Sequence, residues 1–497
     1  MKKQDAISCI KRIDFGEIDA YGDPNLEKYF LDNDYWQRII ETPIFFVIGR
    51  KGTGKSAVYR IIKDKGMGLG HIVENKDFGE FPFEKLLSLE DSGFSSPNQY
   101  QSIWKSIILN LFATMISTNQ SYCESDNVYY REILEYVDKC IGHSVTDLHK
   151  SSMNMIEKTS AGLQLSHTAL GKEISVATNI DMGSKNLTAI NSRLLSCIEQ
   201  YLLTCGHRTK LIIQFDRLDD NYNQYQNVER YYHSIISLFK VVYSINQRFR
   251  ALNINNAKIV LYLRSDILSQ LSKRDAESAR WDDFCLNMNW AIINRDDWKN
   301  PKLLQMVNKR IEASFVHEDN APDFRMIFNN GFMKLRTDNG EDVKDIFKYI
   351  VTQTMHRPRD IIKFCKCIQS EVNETNDLYF RTIKRAERKF TDWLVNSELS
   401  NEINPITGDT KVIFDLLRLL GRRPFSITDF NTRYKSVAQI SLDADSLIYF
   451  LYDLGILGNV KENNGHNEFR SVIRNAGSLD RNMKLYIHPG IWTGINA

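Results

Sequence analysis

Gly49, Gly54, Lys55 and Ser56, within "IFFVIGRKGTGKSAVYRII", form the pattern GxxxxGK[ST] between an apolar run, Ile44 to Ile48, and a segment of helical spacing. Glycines so placed let the backbone curl until its amide N–H groups face phosphate oxygens, and the helix that follows turns its positive end to the same point. The expected cradle is Gly49, Arg50, Lys51, Gly52, Thr53, Gly54, Lys55, Ser56 and Ala57. In it the Lys55 ammonium reaches the terminal phosphates and the Ser56 hydroxyl is a magnesium ligand.

A phosphate cradle needs a second carboxylate on the magnesium side, delivered from the end of a neighbouring strand. The run "KLIIQFDRLDD" supplies it at Asp216, with Asp219 and Asp220 as candidates for orienting the attacking water. Arg217 stands where many ATPases place glutamate, so slow hydrolysis and a nucleotide-held switch are expected if neither later aspartate reaches the water. No NKxD-type base-recognition motif occurs in a suitable place, which favours ATP over GTP, with Mg2+ as its ion. No LSGGQ-like signature or long heptad arm accompanies the loop, against a transporter or chromosome-clamp ATPase.

Positioning these groups calls for strands alternating with helices. Buried-strand runs are expected at Ile44 to Ile48, near His71 to Asn75, in "KLIIQFD", in "KIVLYLRSD" and near Leu286 to Trp290, with helices between them. That alternation predicts an α/β fold, a parallel sheet with helices on both faces. Residues 1–42 read as a helical lead-in and 43–300 as the nucleotide core, interrupted at about 122–186 by an insertion that includes a hairpin around Leu163 to Asp181. Residues 301–400 read as a helical lid, with helices at Leu303 to Ser314, Val343 to Met355, Pro358 to Val372 and Leu378 to Ser397. In 401–497, three helices and a closing hairpin ending "MKLYIHPGIW" have the order of a winged helix-turn-helix.

Composition narrows the function classes. With 497 residues, 42% hydrophobic and 25% charged, the chain has the make-up of a soluble multidomain protein. It has no run of eighteen apolar residues and no secretory signal, so a cytoplasmic protein without membrane partners is expected. Eight cysteines without a CxxC pair read as reduced thiols. A net charge of +2 lacks the basic excess of a DNA binder. The expected recognition helix, Asp443 to Leu454, carries three aspartates and no basic residue, so it suits protein better than a DNA groove. Arg422, Arg423, Arg433, Lys435, Arg470, Arg474, Arg481 and Lys484 leave backbone contact through a basic wing as the alternative. The inserted hairpin admits three uses, reaching a neighbouring subunit, reaching a strand of nucleic acid or packing on the helices of its own domain, and Lys172, its only basic residue near the tip, favours a protein contact over nucleic acid.

Together these motifs resemble the AAA+ and STAND branches of P-loop ATPases, especially initiator-like proteins that join an ATPase core to a winged helix. "DRLDD" is similar to the DxhD[DE] form of the second nucleotide motif in STAND ATPases, and "IVLYLRSDIL" resembles their next strand, which ends in a polar sensor, here Arg264. "RPRDIIKFC" resembles the start of a lid helix, which implies that Arg359, or failing it Arg357, touches the γ-phosphate. The same resemblance implies an arginine finger at Arg274 or Arg280 that acts across an oligomer. The lead-in "FGEIDAYGD" with "FVIGRKGTGKSA" also resembles a bacterial family labelled simply P-loop ATPase, whose members often occur in anti-phage defence or other mobile loci. The expected function is an ATP-hydrolysing switch, and the alternative is an ATP-regulated DNA-binding initiator.

Overall fold

Five short strands, of which β1, β3 and β4 are rich in Val, Ile, Leu and Phe, pair into one parallel sheet: β1 (Phe46–Gly49), β2 (Ile72–Asp77), β3 (Leu211–Asp216), β4 (Ala257–Arg264) and β5 (Cys285–Asn287), in the order β2-β3-β4-β1-β5. Every residue of β1 and β3 is buried, as continuous apolar strands require when helices cover them. The computed structural model describes residues 2–496 apart from 80, 82, 89–94, 120–126, 139–179, 205–208, 219–227, 276, 293–295, 317–320, 329–331, 338–339, 374–379, 438–439, 464–465 and 475–476. Asp219, Asp220 and nearly all of the expected inserted hairpin lie outside the described residues.

The chain forms two compact units, one of Asn33–Arg50 with Val58–Met288, the other of Met1–Asp32 and Lys51–Ala57 with Asn289–Ala497. The first holds the sheet and its helices Gln101–Thr118, Ile180–Thr204 and Val228–Ala251. Its core is aromatic around Trp104, whose ring neighbours include Phe78, Phe81 and Phe83 and whose indole N–H donates to the Ser234 carbonyl at 2.9 Å. A polar core lies under the sheet. Buried Gln214 donates from Nε2 to Asn75 Oδ1 at 2.8 Å and to the Tyr59 carbonyl at 3.2 Å, and its Oε1 accepts from the Tyr262 hydroxyl. Because Tyr59 lies on the helix Lys55–Gly68, this network fastens that helix to β2, β3 and β4.

The second unit is mostly helical, with a hairpin of β6 (Phe332–Thr337) and β7 (Gly340–Asp345). The sequence predicts a helix from Val343, but the strand runs through Asp345 and the helix is Ile346–Thr352. Asp345 sets that start, since its carboxylate accepts from the Lys348 N–H at 2.8 Å as an N-cap. The helix Arg381–Trp393 continues through a π-helical turn, Leu394–Leu399, into Ser400–Thr407, and ends where Gly408 adopts φ 69°. After three helices, Thr410–Leu420, Ile427–Tyr434 and Ala444–Asp453, β8 (Leu457–Asn463), β9 (His466–Arg470) and β10 (Lys484–Ile487) form an antiparallel sheet of order β10-β8-β9. Phe425 bridges to Leu485, extending that sheet by one residue. The chain closes in a helix, Pro489–Ile495, where a hairpin is expected, because Pro489 opens a helical turn and cannot donate to a ladder. Among the described residues no helix is long and apolar enough to cross a membrane.

Candidate functional site

The loop between β1 and the helix Lys55–Gly68 turns on two glycines, Gly52 at φ 79° and Gly54 at φ 92°. Three successive loop carbonyls accept hydrogen bonds from the same unit: Lys51 from Arg357 Nη1 at 3.2 Å, Gly52 from the Arg359 N–H at 3.3 Å, and Thr53 from the Trp290 indole at 2.8 Å. In a trans peptide the N–H lies opposite the carbonyl, so the amides of Gly52, Thr53 and Gly54 point away from these donors. That is the arrangement an anion-binding nest needs. A β-carbon on Gly52 would lie 3.0 Å from Arg359 Cβ and 3.3 Å from its Cδ, so the lack of a side chain admits this close approach. Lys55, buried, opens the helix, with Ser56 and Ala57 in its first turn.

Behind the loop stands an ionic cluster. Arg357, 1% exposed, is the N-cap residue of the helix Pro358–Glu371. It donates from Nε to both oxygens of Asp360, at 3.1 and 3.0 Å, and from Nη1 to Glu402 at 3.1 Å. Glu398 is shared by all three cations: it lies 3.0 Å from Arg359 Nη1, 3.6 Å from Lys51 Nζ and 3.9 Å from Arg357 Nη1. Burial alone would push the Glu398 carboxyl up, but Arg357, Arg359 and Lys51 outweigh it and hold the group below the usual carboxylate range. Burial likewise opposes the charge of Arg357, yet Asp360, Glu402 and Glu398 keep its proton bound more tightly than usual. The resemblance implies a phosphate contact by Arg359 or Arg357. Of the two, Arg357 is enclosed by carboxylates, whereas Arg359 remains 23% exposed beside the loop with Glu398 as its ion-pair partner.

In the sheet unit, parallel pairing brings Gly49, Asp216 and Arg264 to one edge, the carboxyl ends of β1, β3 and β4, with Gly49 opposite Arg264 and Asp216 opposite Asp77. Open α/β sheets bind ligands outside that edge. Arg50 follows directly on β1. Asp216 is buried, and Arg217 takes a left-handed φ of 60° and donates to Asp77 at 3.1 Å. A non-glycine residue in that region carries strain, which is characteristic of functional sites. Arg264 is clamped two-fold by Asp266, at 3.0 and 2.6 Å. The finger candidates differ: Arg274 is bound by Glu229 and stacked 4.2 Å over Tyr232, whereas Arg280 is two-thirds exposed and pairs with Glu277, one turn before it, at 3.2 Å.

The C-terminal region keeps its basic residues off the helix Ala444–Asp453. Arg422, Arg423, Arg433, Lys435 and Lys484 are exposed or partly exposed, while Arg481 pairs with Asp445 at 2.8 Å on that helix. The helix shows solvent Asp445, Ser446, Tyr449 and Asp453. Three groups at the loop escape sequence reasoning: Trp290, Glu398 and Glu402. A glutamate pair at i and i+4 marks one helix face, but nothing in the local sequence ties that face to a loop 347 positions earlier, which is the separation of Glu398 from Lys51.

Comparison with known proteins adds two findings. Residues 301–398 match the FunZ-associated C-terminal helical domain. Over 506 residues the chain is 23% identical to the "Putative transposon gamma-delta 80.3 kDa protein" of Escherichia coli (strain K12), a match that covers 97% of this chain and 67% of that protein. No solved structure matches the chain. Through nearly its whole length the chain is therefore similar to a protein named for a transposon, and its helical residues 301–398 are similar to the FunZ-associated domain.

Proposed function

We propose that this chain is a P-loop ATPase of the AAA+/STAND kind that works as a nucleotide-held switch, with ATP and Mg2+ as its ligands. The observation that carries the reading is the loop itself. Three consecutive carbonyls are bonded outward, two glycines are in left-handed conformations, and a buried lysine opens the following helix. Amides turned from the donors to those carbonyls, directly before a helix-opening lysine, suit an anionic ligand such as a polyphosphate.

In this reading the amides and Lys55 hold the phosphate tail, and the Ser56 hydroxyl is the loop's own ligand to magnesium. The bound ion supplies charge neutralisation on the phosphates. Arg217, in place of a glutamate, offers no base, so turnover is slow or depends on a partner. Residues 410–487 act in this reading as a winged helix whose exposed aspartates suit a protein contact better than a nucleic-acid groove. The similarity to a transposon-named protein supports a setting in mobile loci.

The test is ATP binding and turnover by the purified chain, alone and with double-stranded DNA, beside Lys55→Ala. Binding lost in the variant and DNA-independent turnover are expected. A folded wild-type protein that binds no ATP overturns the proposal, and turnover strongly stimulated by DNA favours the initiator reading instead.

A further inference from the structure

Three of the cations at the loop, Lys51, Arg357 and Arg359, are matched by three carboxylates, Asp360, Glu398 and Glu402, so the charges of these six groups balance. The carboxylates are not equivalent. Asp360 is held by Arg357 and by the Met355 N–H at 2.9 Å, and Glu402 by Arg357. Of the three, Glu398 is the one that bridges the two partly exposed cations flanking the loop, Lys51 and Arg359. Its carboxylate therefore occupies the place where those cations would meet a ligand's anionic end. Arg359 is also joined to the loop through its own backbone N–H on Gly52, and its Nε is buried without an acceptor among the described residues.

The segment that carries Glu398 is suited to yield. Leu394–Leu399 is a π-helical turn between two α-helical stretches, a geometry less favourable than α-helix and recurrent at functional positions. Polyphosphate brought to the loop adds several negative charges beside these groups and competes with the shared carboxylate for Lys51 and Arg359.

We propose that Glu398 is an internal stand-in for the outermost phosphate, which ATP must displace from Arg359 and Lys51 and which ADP leaves in place. Glu398 is then the residue that sets the discrimination between triphosphate and diphosphate, and its release frees the turn Leu394–Leu399. The inference rests on reading the loop as an ATP site.

Calorimetric titration of the full chain with Mg–ATP and Mg–ADP tests it in wild type, Glu398→Gln, Glu402→Gln and Lys55→Ala. The expected result is ATP affinity raised about tenfold in Glu398→Gln, with ADP affinity unchanged and no such gain in Glu402→Gln. ATP affinity that is unchanged or weakened in Glu398→Gln, while wild type binds and Lys55→Ala does not, overturns the role of Glu398 and leaves the site reading intact. No nucleotide binding by folded wild type overturns both. Should Glu398→Gln fail to fold, amide hydrogen exchange on the wild-type chain decides the question. A non-hydrolysable ATP analogue should speed exchange across residues 394–402 relative to ADP, and equal exchange overturns the proposal.

Discussion

Arg357 Nη1 lies 3.2 Å from the carbonyl of Lys51 and 3.1 Å from Glu402, so one buried guanidinium joins the glycine loop, 306 residues before it, to a helix that carries Glu402, 45 residues after it. Such a residue has no hydrated alternative. Its charge is satisfied by Asp360, Glu402 and a backbone oxygen, and removing it strands two buried carboxylates.

Arg357→Met should accordingly cost about 3–5 kcal/mol of unfolding free energy, the range for breaking a buried ion pair from one side. Denaturant melts measure it. A loss below about 1 kcal/mol, the size of an exposed pair, would mean the cluster is solvated.

Gly52→Ala combines two penalties. A β-carbon at φ 79° costs about 1–2 kcal/mol on conformational grounds, and it lies 3.0 Å from Arg359 Cβ. Expected are a lower melting temperature and impaired ATP binding, whereas Gly408→Ala, at φ 69° with open space around it, should lower stability alone. Paired melting and binding curves separate the two variants.

Gln214→Leu keeps the volume of the sheet core but leaves the Tyr262 hydroxyl and Asn75 without their partner. The buried Tyr262 hydroxyl so orphaned costs about 1–3 kcal/mol. Because the network holds the helix Lys55–Gly68 to β3, ATP affinity should fall along with stability. Tyr262→Phe in the Gln214→Leu background should recover part of the stability, and a double-mutant cycle reads that coupling.

Lys258 is buried in β4, where its ammonium donates to the carbonyls of Ile39 and Thr42. Burial, assisted by Lys210, pushes its pKa down to about 7. Between about 7 and the unfolded value of 10.5 the unfolded chain binds the extra proton, so stability from this group rises with pH and is lowest below 7. Relative to Lys258→Met, wild type should gain up to about 1.4 kcal/mol per pH unit across that window. Urea melts at pH 7, 8 and 9 check it, and parallel curves for the two proteins would refute the shift.

Much of this fold is legible residue by residue. β1, β3 and β4 are mostly apolar runs of strand length, as a strand buried on both faces requires, and each is followed by a polar turn and a helical period. The hairpin β6–β7 is not legible in that way. Its second strand runs straight into the helix Ile346–Thr352, and apolar spacing in "VKDIFKYIV" fits a helix as well as a strand until the Asp345 cap is formed. The closing helix Pro489–Ile495 is obscured similarly, by alternation in "KLYIHPGI" that ends at the proline.

The candidate site divides along the same line. Gly49, Gly54, Lys55 and Ser56 give by themselves the expectation of a phosphate loop, because backbone curvature, amide direction and a helix start are all local properties of consecutive residues. What surrounds that loop was decided by tertiary structure. Trp290 on the Thr53 carbonyl, Arg357 on that of Lys51, and Glu398 on the Lys51 ammonium are pairings across hundreds of residues. Charge and hydrogen-bond capacity can be read from each side chain alone, but which partner satisfies it depends on the geometry of the folded chain, where burial makes leaving any of them unpaired prohibitively costly.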